Sequence, residues 1–276
     1  MVSRWRRRLV VLSAWPAALV LTARPLSSLV VGTLTASAAV GGLGRLTTRS
    51  INAGLAMTVL AMFGFVVNDI FDYDKDRVAG VRRPIADGTL SRRSAALWAA
   101  GLLATAMLLA TTVGSGGIVL AITAAALLLY SPLALRLPLG KDVCVAGICC
   151  APLLYGATVV GVPRSWISYV TLACFVFGRE LLMDSDEQPG DSRAGVRTIA
   201  AILGCRWTTH IGAALMLLSA VALVAIVRGP LVTAAAAATL LLLAYVFTWP
   251  GIDSGARIRL SRLPMLLGSV ALACGA

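Results

Sequence analysis

Long apolar runs alternate with short polar connections along this chain. Ile118–Tyr130, Ile211–Val227 and Leu231–Phe247 contain no charged residue. Neighbouring Gly, Ser and Thr lengthen such runs toward the ~20 residues with which a helix crosses a bilayer. Hydropathy and helix breakers together predict nine spans, near 25–43, 51–71, 94–113, 116–134, 143–161, 166–183, 208–227, 230–248 and 262–276, the last of them short. Ahead of these, Arg4-Trp5-Arg6-Arg7-Arg8 precedes an apolar stretch closed by Arg24-Pro25. A cleavable signal needs small residues before its cut site, so Arg-Pro at that point favours a retained helix over 1–23, lying along the membrane face. The expected fold class is all-α, a polytopic membrane helical bundle over 24–276, and residues 1–276 form one domain.

Composition agrees. The 276 residues are 59% hydrophobic and 13% charged, with mean hydropathy +0.89, whereas a soluble domain carries about a quarter charged residues. The net charge of +12 invites a nucleic-acid partner, since clustered arginines attract phosphate polymers. Here they sit in short loops between apolar runs, so orientation in the bilayer is the better account and no nucleic acid is expected. With nine spans, the N-terminus and the loops after the even-numbered spans share one face. That face holds all of the 24 basic residues except Arg45, Arg49, Arg164 and Arg228, which makes it cytoplasmic. The Ala, Arg and Val bias hints at a high-GC bacterium, so a bacterial cell membrane is the expected location.

All 12 acidic residues fall on that same face. Membrane insertion does not ask for this, so the acids point to chemistry. The six cysteines show no C-x-x-C spacing and read as small packing residues. His210, the one histidine, offers no softer-metal site and reads as an interfacial or core residue.

The acids repeat. A shift of 115 residues places Asp69 on Asp184, Asp72 on Glu187 and Asp76 on Asp191, and then Ala79-Gly80-Val81-Arg82 on Ala194-Gly195-Val196-Arg197. Both copies read D-x-x-[D/E]-x-x-x-D-x-x-A-G-V-R, and both follow an even-numbered span, so the two repeats have parallel topology. A lone copy reads as a solvated acidic loop; two matching copies flanked by arginines do not. Spacing i, i+3, i+7 puts three carboxylates on one helical stripe. Like charges at a membrane helix end are costly without a counter-charge. Hard oxygen donors suit Mg²⁺, which is held by one or two carboxylates together with substrate phosphates. Two facing stripes could therefore hold ions that bridge a diphosphate, with Asn68 adding a neutral oxygen beside Asp69. Arg24, Arg82, Arg83, Lys141, Arg193 and Arg197 lie on the same face and suit the remaining phosphate oxygens. In Val81–Ser91, Pro84 and Gly88 predict a turn, and Ser91 is placed to cap the next helix.

The run Asn68-Asp69-Ile70-Phe71-Asp72-Tyr73-Asp74-Lys75-Asp76 resembles the N-D-x-x-D-x-x-x-D signature of the UbiA-type intramembrane prenyltransferases. Arg83-Pro84-Ile85 with Gly88 and Leu90-Ser91 resembles that family's R-P-I-x-x-G-x-x-S segment. Arg24-Pro25 resembles its first-helix Arg-Pro, Tyr130-Ser131 its fourth-helix Tyr-Ser, and Gly190–Thr198 its second motif. The resemblance spans roughly residues 20 to 250. It implies nine helices around a central cavity open to lipid, and a prenyl diphosphate bound through Mg²⁺. It also implies that Asn68, Asp69, Asp72, Asp76, Asp184, Glu187 and Asp191 hold the metals. Arg24, Arg83, Tyr130, Lys141, Arg193 and Arg197 become candidate diphosphate contacts. The second motif departs from the family where Glu187 stands in place of the usual Asp, and Gln188-Pro189 where an acidic residue often precedes Gly190.

The mechanism this implies is ionisation of the allylic diphosphate in a site shielded from water, then attack by a lipophilic acceptor, aromatic, quinone-precursor or other. A terpene cyclase on the same bundle is the alternative, with Phe63, Phe65, Tyr155, Phe175 and Phe177 near the expected cavity. An alcohol phosphotransferase is disfavoured because Tyr73 follows Asp72. A cation transporter places its binding groups near the bilayer midplane, whereas these acids lie at span ends.

Overall fold

The computed structural model describes residues 15–134, 140–193, 195–249 and 251–275, and every regular element among them is an α-helix. The Arg4–Arg8 cluster and the first part of the expected interfacial helix lie outside the described residues. The described chain begins as a helix over residues 15–23 (α1), breaks at Arg24 and resumes as Pro25–Leu43 (α2). Steric clash with a following proline disfavours the right-handed helical conformation. Arg24 instead adopts φ 46°, ψ 61°, the left-handed region, which costs a non-glycine residue about 1–2 kcal/mol.

The remaining helices are α3 (Thr48–Phe71), α4 (Tyr73–Ala79), α5 (Arg92–Val113), α6 (Gly117–Ala134), α7 (Gly140–Ile148), α8 (Ala151–Val160) and α9 (Trp166–Arg193), then α10 (Ile199–Leu203), α11 (Cys205–Ile226), α12 (Pro230–Thr248), α13 (Ser254–Leu260) and α14 (Arg262–Gly275). Among the described residues eight segments are long and apolar enough to cross a membrane, and the apolar part of α6, Gly117–Tyr130, is shorter. The protein is an integral membrane protein.

Each expected span coincides with helix among the described residues, with four differences in extent, one being that the ninth reaches back through α13 to Gly255. The first apolar segment reaches back to Trp15 across the break at Arg24. The fifth is two helices, α7 and α8, interrupted before Pro152, whose ring removes a backbone donor. The sixth runs ten residues past its predicted end, through the acidic motif to Arg193. Helical hydrogen bonding continues there although the apolar character has stopped.

The spanning helices form a closed ring: α2 packs on α3, α3 on α5, α5 on α6, α6 on α7, α7 on α9, α9 on α11, α11 on α12, α12 on α14, and α14 on α2. Without a hydrophobic drive between helices in lipid, close approach matters most. At the α2–α3 contact Gly32 and Gly54, and at the α9–α11 contact Gly178 and Gly212, a partner backbone oxygen occupies the space a side chain would need. Phe63 and Tyr155 are buried in the core around α3 and α5, and Phe175 in the core around α11 and α12; they fill helix interfaces.

Arginines expected on the opposite face from the acids have a structural part. Arg49 donates to the Val113 carbonyl at 2.9 Å, and Arg164 to the Ala38 and Ala273 carbonyls at 2.8 and 2.6 Å. Arg228 donates to the Ala225 carbonyl. Val113, Ala273 and Ala225 lie in the last turns of α5, α14 and α11, where the backbone leaves acceptors unpaired and the dipole favours a cation.

Candidate active site

The first acidic motif sits where α3 gives way to α4. Asp69 is on the last turn of α3, Asp72 is the junction, and Asp76 lies on α4. Asn68 donates to Asp72 Oδ2 at 2.8 Å. The break at Arg24 delivers its guanidinium to this point: Nη2 lies 2.6 Å from Asp69 Oδ1, and the group stacks 4.8 Å from the centre of the Phe65 ring. A second guanidinium arrives through the loop after α4. Leu90 N–H bonds the Pro84 carbonyl, Gly88 takes φ 84°, and Ser91 caps α5 through the Ser94 N–H, as the sequence predicts. Ile85 and Leu90 are buried in the core and pin the loop, so Arg83 Nη1 stands 3.0 Å from Asp69 Oδ1, 2.8 Å from Asp76 Oδ2 and 3.8 Å from Asp72 Oδ2.

The second motif lies on the last three turns of α9. Lys141, on the first turn of α7, donates to Asp184 Oδ1 at 2.9 Å. Lys75, from within the first motif, reaches across so that its Nζ lies 2.7 Å from Asp191 Oδ1 and 3.9 Å from Glu187 Oε2. No hydrogen bond to Asp191 accompanies this ion pair. The two motifs therefore face each other.

The internal repeat is physical as well as textual. In each copy the outer carboxylates are buried and the middle one is open: Asp72 and Glu187 side chains are 22% and 44% exposed, against 5% or less for Asp69, Asp76, Asp184 and Asp191. Each copy also ends its helix in the same way. Gly80 and Gly195 take φ 72° and 71°, and Val81 and Val196 N–H groups bond the Asp76 and Asp191 carbonyls, both at 2.9 Å. That is a Schellman-type stop, with glycine in the left-handed position and a six-to-one hydrogen bond. The shared A-G-V-R tail marks where a helix ends.

Tyr130, at the end of the apolar part of α6, stands within electrostatic reach of Lys141, Asp72, Glu180 and Asp142, between the motifs. Arg82, Arg193 and Arg197 are exposed and form no ion pair with the described residues. The structure thus gathers Arg24, Arg83, Tyr130 and Lys141 but not Arg193 or Arg197. Sequence reasoning missed three members: Lys75, Glu180 and Asp142. Glu180 was readable, since it sits four residues before Asp184 and extends the 184, 187, 191 stripe by a turn. It is buried, with Arg179 Nη1 3.8 Å away.

Burial pushes the Asp76 carboxyl up to about 6; Arg83 opposes this, while Asp72 and Asp69 add to it. Burial works to lower Arg83, but Asp69, Asp76 and Asp72 outweigh it and hold the guanidinium above its ordinary value.

Among the described residues no three Asp, Glu, His or Cys side chains converge closely enough to enclose an ion by themselves. Yet Asp184 Oδ2 and both Asp191 oxygens are buried without a hydrogen-bond partner. Asp191 Oδ1 faces Lys75, so Asp184 Oδ2 and Asp191 Oδ2 are the open hard oxygens; facing the first acidic stripe, they fit a magnesium ion whose remaining ligands come from water and a phosphate.

Comparison with known proteins follows the same line. The model of the family described as "UbiA prenyltransferase family" matches residues 26–269. A digeranylgeranylglyceryl phosphate synthase of Methanopyrus kandleri is 33% identical over 251 residues, covering 88% of this chain and 90% of that one. The apo structure of a UbiA homologue from Aeropyrum pernix K1 superposes with TM-score 0.76 at 20% identity, covering 89% of this chain and 97% of the other. A UbiA homologue from Archaeoglobus fulgidus, bound to GPP and Mg²⁺, superposes with TM-score 0.68 at 16% identity over 92% and 99%.

Proposed function

The chain belongs to the UbiA prenyltransferase family, and on that premise we propose that it transfers a prenyl group from a prenyl diphosphate to a lipophilic glyceryl phosphate. The single observation carrying the donor half is the pair of facing acidic motifs joined by Lys75, with buried carboxylate oxygens on the second. The Archaeoglobus homologue with GPP and Mg²⁺ supports the same reading. For the acceptor, the support is the name shared by relatives, digeranylgeranylglyceryl phosphate synthase. Removing one geranylgeranyl group from that product leaves a glyceryl phosphate with a free hydroxyl. This narrows the broader expectation of an aromatic, quinone-precursor or other lipophilic acceptor to the last of these.

In this reading Asn68, Asp69, Asp72, Asp76, Asp184, Glu187 and Asp191 hold magnesium. When bound, it supplies Lewis-acid neutralisation of the diphosphate. Arg24, Arg83 and Lys141 exchange a carboxylate for diphosphate oxygens, and the charge-assisted bonds they offer strengthen as the leaving group gains charge. Arg193 and Arg197 are candidates only if the loop after α9 folds inward over the substrate. Tyr130 orients the diphosphate between the motifs. The apolar helices exclude water from the allylic cation. The motifs face the cytoplasm, by the loop charges, and residues 1–276 act as one domain. A bacterial source, expected from composition, draws no support from the archaeal relatives.

The test is mass spectrometry of products from purified enzyme in nanodiscs, given geranylgeranyl diphosphate and Mg²⁺ with or without geranylgeranylglyceryl phosphate. A doubly prenylated glyceryl phosphate is expected. A cyclic terpene formed without acceptor would overturn this in favour of a cyclase, and consumption only with a phenolic acceptor would overturn the acceptor half.

A further inference from the structure

We propose that Asp142 is the proton acceptor for the attacking hydroxyl, an inference that rests on the hydroxyl-acceptor reading above. Asp142 belongs to neither acidic motif and lies on the first turn of α7. It is wholly buried, 0% exposed, and neither carboxylate oxygen has a hydrogen-bond partner. Its ionisable surroundings come from two helices: Lys141 beside it on α7, and Glu180, Asp184 and Asp191 on α9. Tyr130 of α6 stands within electrostatic reach as well.

Two features set Asp142 apart from a structural carboxylate. A carboxylate buried for stability accepts hydrogen bonds, and this one accepts none. The adjacent ammonium is not spent on it, because Lys141 donates to Asp184 at 2.9 Å. An unpaired anion here repels a diphosphate, and it stands outside both acidic stripes, which lie on α3, α4 and α9. What its two free lone-pair faces fit is a donor, and the hydroxyl of a glyceryl phosphate is such a donor.

The step balances. The allylic C–O bond breaks and its electron pair leaves with the diphosphate. A lone pair of the acceptor hydroxyl forms the new C–O bond at the allylic carbon. The hydroxyl proton passes to a carboxylate oxygen of Asp142 and leaves to solvent on product release. Asp142 so placed takes the proton after ionisation, leaving bond breaking to the metal-side groups.

Asp142→Asn keeps the shape and removes the basicity. The full-length variant in nanodiscs, with geranylgeranyl diphosphate, Mg²⁺ and geranylgeranylglyceryl phosphate, is assayed for both diphosphate release and ether formation. Ether formation is expected to fall about 100-fold or more, the usual scale of a lost general base, while diphosphate release stays within about threefold of wild type. The prenyl cation then ends as the alcohol by capture of water. Asp142→Glu recovers part of the transfer, showing that charge and not volume is required. Parallel loss of both readouts would assign Asp142 to ionisation or folding and overturn the proposal, as would ether formation at the wild-type rate. Wild-type enzyme that makes no ether removes the acceptor reading itself; wild-type ether matched by Asp142→Asn removes only this inference.

Discussion

In the first acidic motif two guanidinium groups converge on one oxygen, Asp69 Oδ1, whereas in the second two ammonium groups go to different carboxylates and leave Asp184 Oδ2 and both Asp191 oxygens without a hydrogen bond. The copies are alike in spacing, burial pattern and helix stop. They differ in what neutralises them. A planar guanidinium fork locks carboxylates in place, while an ammonium is a compact charge on a flexible stem that changes partners readily. The second motif is thus the open one, ready for a cation. The first is held shut by groups that also suit a phosphate.

Four measurements would break or sharpen that contrast. Asp69→Asn and Asp184→Asn are each expected to lower turnover about 10³-fold or more while the protein stays folded in the membrane. They should part at magnesium: titration calorimetry without substrate loses Mg²⁺ binding in Asp184→Asn and keeps it in Asp69→Asn. Equal losses would erase the distinction. Next in size is Lys75→Ala, which removes the side chain that joins the motifs through ion pairs with Asp191 and Glu187; misaligning the two halves lowers kcat about 10–100-fold, with little change in Tm.

A smaller effect follows from pH. Asp76 ionises near 6, above its usual 3.8, so in the folded chain it keeps its proton up to that range. Magnesium affinity in the presence of substrate should therefore rise about tenfold from pH 5 to 7 and level off above, since metal ligands must be deprotonated. Asp76→Asn should flatten that rise. The smallest effect tests the repeat itself: Gly80→Ala and Gly195→Ala each strain a left-handed stop by about 1 kcal/mol, and matching Tm losses confirm that the two stops are equivalent.

Much of this was legible in the chain because two of its periodicities are strong. Apolar runs broken by Gly, Pro and Arg placed each expected span on a helix among the described residues, and the 115-residue shift located both motifs. The ends were harder. Asp184 reads as the finish of an apolar span, but α9 carries on for nine residues more because backbone hydrogen bonds do not depend on hydropathy. Cys149 and Cys150 give no sign that α7 and α8 part there, beyond Pro152 downstream. Side-chain partnerships were the least legible. Lys75 was in plain view within the first motif, yet only the packing of α4 on α9 directs it to Asp191. Asp142 has no repeat and no motif to mark it.

The closure of α14 onto α2 makes the catalytic apparatus a property of the whole circuit. Of the helices bearing the two motifs, α3 and α9 are not neighbours in the ring; they are set apart by α5, α6 and α7 along one arc and by α2, α14, α12 and α11 along the other, and the short α4 reaches from the first motif onto α9. Neither half of the chain owns a site, although each owns a complete set of acids. Cutting the connection between α8 and α9 would give two fragments, each inert alone, and activity would return only when both arcs are joined again in one bilayer.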